Sequence, residues 1–139
     1  MDGLAPTPPR RDPGMDADLR RIVAVEVHRR RTGRCPVLVH ALGTGETFRI
    51  EPQGDGFRDL ATGLRVRPTS GGIELEGAGP VSLRLTGDIG FEGQELASGE
   101  RFTGHAGGGA SVTLYDSRCI GFFQYAVSDQ DQPPDRLGT

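Results

Sequence analysis

Lysine and tryptophan are absent from this 139-residue sequence, and all sixteen basic residues are arginine. An all-arginine basic set is what a GC-rich coding bias produces, so arginine content by itself carries little functional weight. Cysteine is scarce: Cys35 and Cys119 stand far apart and fit no metal-ligand spacing. A disulfide between them and two buried thiols are the competing readings, and the thiols are favoured in a cytoplasmic chain. No apolar run reaches the roughly 18 residues of a membrane-crossing helix. The N-terminal stretch MDGLAPTPPRRDPGMD lacks the apolar core of a signal peptide. The expected location is cytoplasmic, or within an assembly made there. A formal net charge of −3 argues against a general nucleic-acid binder, whose domain would be strongly basic.

Glycine and proline, by contrast, are abundant, with 22 and 10 residues, and they punctuate short apolar runs. The length suits one domain. Residues 1–17 hold prolines and charges without periodicity and are expected to be a flexible arm; residues 128–139 are expected to be a flexible tail. The folded part is then a β domain over 18–127.

Within it the apolar period is two rather than 3.6. Segments such as PVLVHAL, TFRIEP, LRVRP, GIELEG, VSLRLTG, ERFTGH, ASVTLYD and CIGFFQYAV are short and mostly end at Gly, Pro or Asp. This spacing predicts an all-β fold, a single antiparallel β-sandwich or barrel of about 8–10 short strands. RIVAVEVH also alternates, with Val23, Val25 and Val27 on one face, and its β-branched content favours a strand. A helix starting at Asp16, with Leu19, Ile22, Val23 and Val27 inward, is the competing reading. No segment repeats at a fixed period, which speaks against a solenoid or propeller.

The stretch GHAGGGASVTLYD, residues 104–116, looks at first like a phosphate loop. A Walker loop needs a lysine and a dinucleotide loop needs a following helix, whereas here an alternating strand follows. The glycines are therefore read as the corner of a β-hairpin. His105 beside that corner and Asp116 at the end of the next strand are the residues on which a small enzyme could be built, if they converge. Only His28, His40 and His105 occur, none at metal-binding spacing, so no metal or other cofactor is expected. With no G-x-S-x-G elbow and no low-pKa cysteine context, the expectation is a non-enzyme.

Two candidate binding surfaces remain. The last hairpin concentrates the few aromatics: Tyr115, then Phe122, Phe123 and Tyr125. Alternation puts Phe123 and Tyr125 on one face and Phe122 on the other, so one set faces outward as a platform for sugar rings or a partner protein. The bland alternative is that these residues close the core. A binding or structural module with a protein or carbohydrate partner, and with self-association as an option, is the first functional reading.

The second candidate is the arginine cluster, RRRTGRCPVLV. Arg30 and Arg34 stand four apart before a strand, a spacing that resembles the R-x-x-x-R arm of PilZ domains, small β-barrels that bind cyclic di-GMP. The resemblance implies that Arg30 and Arg34 would grip phosphates and guanine faces of a cyclic dinucleotide. The family's second motif, D-x-S-x-x-G, is not matched: RPTSGGIEL offers Ser70, Gly71 and Gly72 without the leading Asp, and DLATG keeps Asp59 but has Ala61 in place of Ser. Otherwise these arginines are a solvated basic edge that keeps a strand from pairing with other chains.

Overall fold

The run RIVAVEVH is helical, not extended. In the computed structural model, which describes residues 17–77, 79–107, 109–116 and 121–129, helix α1 spans Ala17–Thr32. Its ends carry ordinary helix punctuation. Asp18 sits in the first turn and Arg29, Arg30 and Arg31 in the last, matching the helix dipole. Gly33 follows at φ 77°, its amide bonded to the Arg29 carbonyl at 2.8 Å, which closes the last turn.

Ten antiparallel strands come after it: β1 Leu38–Ala41, β2 Glu46–Gln53, β3 Gly56–Asp59, β4 Leu64–Thr69, β5 Gly72–Leu75, β6 Pro80–Thr86, β7 Gly90–Glu95, β8 Glu100–His105, β9 Ser111–Asp116 and β10 Gly121–Ser128. Each strand pairs with the next, and β10 returns to β1, so the sheet closes into an up-and-down barrel without a free edge. The all-β expectation holds, and barrel is the answer between barrel and sandwich. Strands β8 and β9, on either side of the glycine stretch, pair antiparallel in the register His105↔Thr113, as a hairpin requires; Gly108 itself lies outside the described residues.

Helix α1 fills the lumen. Ile22, Val23, Ala24, Val25, Glu26 and Val27 are all 0% exposed, and six consecutive residues cover every side of a helix. Around them the inward strand positions supply Val39, Ile50, Phe57, Val66, Ile73, Leu83, Phe91, Phe102 and Leu114, all in one core with the helix. This is why the sequence pattern misled. A helix enclosed on all sides needs no apolar stripe, so the 3.6 period vanishes and the Val-Ala-Val-Glu-Val alternation is left to mimic a strand. The helix propensity lost to β-branched residues is a few tenths of a kcal/mol each, small beside about 1.5–3 kcal/mol for burying each side chain.

Phe91 and Phe102 need room beside that helix, and glycine provides it. In the β7–β8 register Phe91 lies opposite Gly104 and Gly93 opposite Phe102. A methyl group at Gly104 would run into the Phe91 ring and the Thr113 carbonyl; at Gly93 it would run into Phe102 and the Ser82 carbonyl. Gly104→Ala should therefore destabilise by about 1–3 kcal/mol through overpacking, read as a lower urea midpoint at unchanged slope.

The outward strand positions carry Arg49, Glu51, Arg65, Arg67, Glu74, Arg84 and Arg101, exposed and partly paired, as in Arg67–Glu74 and Arg84–Glu92. A lipid-facing barrel turns an apolar band outward instead. No helix among the described residues is long and apolar enough to cross a membrane.

Candidate functional site at the upper mouth of the barrel

Because the helix occupies the lumen, space for a ligand is left at the barrel's ends and on its outer wall over β6–β8. The upper end is taken as the one where α1 begins. There a cavity of about 620 Å³ opens between the first helical turn, the β1–β2 turn and the start of β10. Phe48, Phe123 and Tyr125 form its apolar wall; Arg20 and Arg21 descend into it from the helix; Thr44, Glu46, Thr113 and Gln124 line it with polar groups.

The helix sets the arginines and the strands set their partners. The Arg21 guanidinium donates to both carboxylate oxygens of Asp59 at 2.9 and 2.6 Å, and its remaining nitrogen lies 2.9 Å from Asp18. Arg20 donates to Asp116 at 3.2 Å. Each also lies over an aromatic ring: the Arg20 carbon is 3.9 Å from the Phe123 centroid and the Arg21 carbon 4.0 Å from that of Phe48. Burial alone would push the Arg21 guanidinium down, but the hydrogen bonds and charges of Asp59 and Asp18 outweigh it and hold the group above its ordinary value. Burial pushes the Tyr125 phenol up, against the lowering pull of Arg20 and Arg21. The floor of the mouth is thus electrically compensated: its cations already face carboxylates and are backed by aromatic rings.

The residues expected to bind are sorted by this geometry. Phe123 and Tyr125 share a face, as alternation requires, but it is the inner one. Tyr125 is buried and Phe123 half-buried at the mouth. The outward aromatic pair is Tyr115 and Phe122, opposite each other in the β9–β10 register with centroids 4.9 Å apart. Tyr125 is therefore a wall of the mouth and not an exposed contact. Phe48, Arg20 and Arg21 are absent from the binding surfaces that the sequence suggests; the doubled arginine just ahead of the apolar run Ile22–Val25 is the signal for the two arginines.

Arg30 and Arg34 do not share a site. Arg30 donates to Glu26 at 2.7 Å and to the Gly72 carbonyl at 2.7 Å, pinning the helix C-terminus to the lower turns. Arg31 does the same to the Gly90 carbonyl at 2.8 Å. Arg34 is 73% exposed and pairs with Asp129 at 3.6 Å, beside a wide lower cavity that Arg30 does not line. His105 and Asp116 are not brought together either. His105 is exposed at the lower end of β8, while Asp116 is buried at the upper end of β9 and engaged by Arg20.

Cys35 lies in that lower cavity as a free thiol; Cys119 falls outside the described residues, and so does any pairing between them. Burial pushes the Cys35 thiol up to about 11, with Glu26 and Asp129 adding to the rise and Arg29 opposing it. In a Cys119→Ser chain, alkylation of Cys35 at pH 8 should run roughly a hundredfold or more below that of a free cysteine, since the thiolate is the nucleophile. A raised folded pKa contributes stability below the unfolded value, and that contribution is lost as pH rises toward 11.

Fold and site together define a helix-filled, ten-strand meander barrel with one compensated, aromatic-walled mouth. Comparison with protein-family models, curated proteins and solved structures finds no match to this chain.

Proposed function

We propose that the chain is a binding module, not a catalyst, and that its upper mouth receives an uncharged, ring-sized group. The observation that carries this reading is the cavity of about 620 Å³ walled by Phe48, Phe123 and Tyr125, a volume within the ~300–1,000 Å³ of small-ligand sites. Its chemistry favours a neutral occupant. Arg20 and Arg21 already face Asp116, Asp59 and Asp18, so an anion would have to compete with carboxylates held in place. Aromatic faces stack on apolar ring surfaces, and Glu46, Gln124, Thr44 and Thr113 offer hydrogen bonds at the edge.

Calorimetric titration with indole, with methyl β-glucoside and with benzoate tests this directly. Saturable binding of a neutral probe, weaker binding of benzoate and at least a tenfold loss in Phe123→Ala are expected. Indole alone would point to an aromatic side chain as the natural group, and the glucoside alone to a sugar. Benzoate binding as tightly as the neutral probes, or no saturable binding by either neutral probe, would overturn the reading.

A further inference from the structure

Three upper turns share one sequence pattern. Residues 42–45 read Leu-Gly-Thr-Gly, 60–63 read Leu-Ala-Thr-Gly and 96–99 read Leu-Ala-Ser-Gly. Their geometry repeats as well. Gly45, Gly63 and Gly99 stand at φ 79°, 80° and 79°, and their amides donate to Ala41, Asp59 and Glu95 at 2.8, 2.7 and 2.8 Å. In each, the hydroxyl accepts the amide that opens the next strand, at 3.3, 3.2 and 3.1 Å. Glycine and hydroxyl thus have structural duties: one takes the left-handed conformation, the other caps the following strand.

The leucine has none. Nothing in such a turn requires an apolar first residue, yet Leu42, Leu60 and Leu96 stand there 54, 45 and 52% exposed. Phe122, 70% exposed, begins β10 at the same end. Among the described residues the remaining exposed large apolar side chain, Ile89, lies in a lower turn.

Charge is sorted the same way. The described residues that fill or flank the upper turns include Glu46, Glu76 and Glu95 and no basic residue, with Glu76 in the leucine position of the fourth turn. Among the described residues the arginines of that end, Arg20 and Arg21, are turned inward. A rim that is acidic over its described residues repels anionic headgroups, and two such rims face to face repel each other, so neither a lipid surface nor a symmetric second copy suits it.

We infer that the upper end is a protein-docking face, and that its partner is a segment carrying a leucine-sized or aromatic side chain flanked by lysine or arginine. The side chain enters the mouth, Leu42, Leu60, Leu96 and Phe122 close around it, and the flanking cations meet Glu46 and Glu76. The inference rests on the binding-module reading and names its partner.

The test is selection of a random 12-residue peptide phage library on the intact chain. Enriched peptides should place Leu, Phe or Trp beside Arg or Lys. The best of them, synthesised, should bind at least tenfold more weakly to Leu60→Ser/Leu96→Ser and to Glu46→Lys/Glu76→Lys, and equally well to the lower-end variant Arg34→Ala. These sites are exposed, so melting should barely move; binding should also weaken with added salt. No enrichment, enrichment of acidic peptides, or undiminished binding to the leucine variant would overturn the docking face. Such a failure alongside saturable indole or glucoside binding would remove the docking face alone. Peptide binding that falls in the leucine variant but not in Phe123→Ala would keep the face and remove the mouth.

Discussion

Deletion of residues 1–33 should leave a chain that cannot form its barrel, although all ten strands are retained. Without α1 the inward faces of Phe57, Phe91, Phe102 and Leu114 surround an empty lumen. Burial of Leu19, Ile22, Val23, Val25 and Val27 is worth about 7–15 kcal/mol at roughly 1.5–3 kcal/mol each, as much as the whole stability of a typical domain. The expected result is loss of the cooperative urea transition and appearance of ANS-binding apolar surface. A synthetic peptide of residues 15–34 added in trans should restore part of the transition. A truncated chain that unfolds cooperatively at the parent midpoint would mean that the helix is an appendage.

The second large effect concerns Arg21 and Asp59, both almost fully buried. Asp59→Ala should cost about 3–5 kcal/mol, because it leaves a guanidinium charge deep in the upper mouth and removes the acceptor of the Thr62 amide and hydroxyl. Replacing both partners, Arg21→Met with Asp59→Leu, should recover most of that loss, since a buried ion pair and an apolar pair of similar volume come out nearly even. A double-mutant cycle by urea denaturation separates the two terms. Additive losses in the double variant would mean that the two side chains act independently, and the compensated floor on which ligand choice depends would have to be abandoned.

Much of this fold could be read from residue order. The strands follow from alternation, and the turns follow from residues such as Gly54, Gly63 and Gly99, which adopt the positive φ that only glycine takes freely. What could not be read is what faces what. Alternation joins Phe123 to Tyr125 and parts both from Phe122, but it is silent on which face looks inward until the barrel closes through β1 and β10. The helix was hidden by enclosure, even though Asp18, Arg29–Arg31 and Gly33 marked its ends. The recurring Leu-(Gly/Ala)-(Thr/Ser)-Gly turn is obscured in residue order by one interrupted copy. Leu60 follows Leu42 by 18 positions and Leu96 follows Leu60 by 36, and the turn between them reads Glu-Gly-Ala-Gly. The repeat becomes evident only when the closed barrel places these turns at one end.

The measurement that tests the central claim most directly is amide line broadening in the ¹⁵N-labelled protein by TEMPOL, an uncharged ring-shaped nitroxide. If the helix fills the lumen and the upper mouth takes neutral rings, Ile22–Val27 should be unbroadened, while Ala41–Thr44 and Phe122–Tyr125 should broaden far more than the lower turns around Gly54 and Gly87. Broadened helix amides, or upper and lower turns affected alike, would contradict the account.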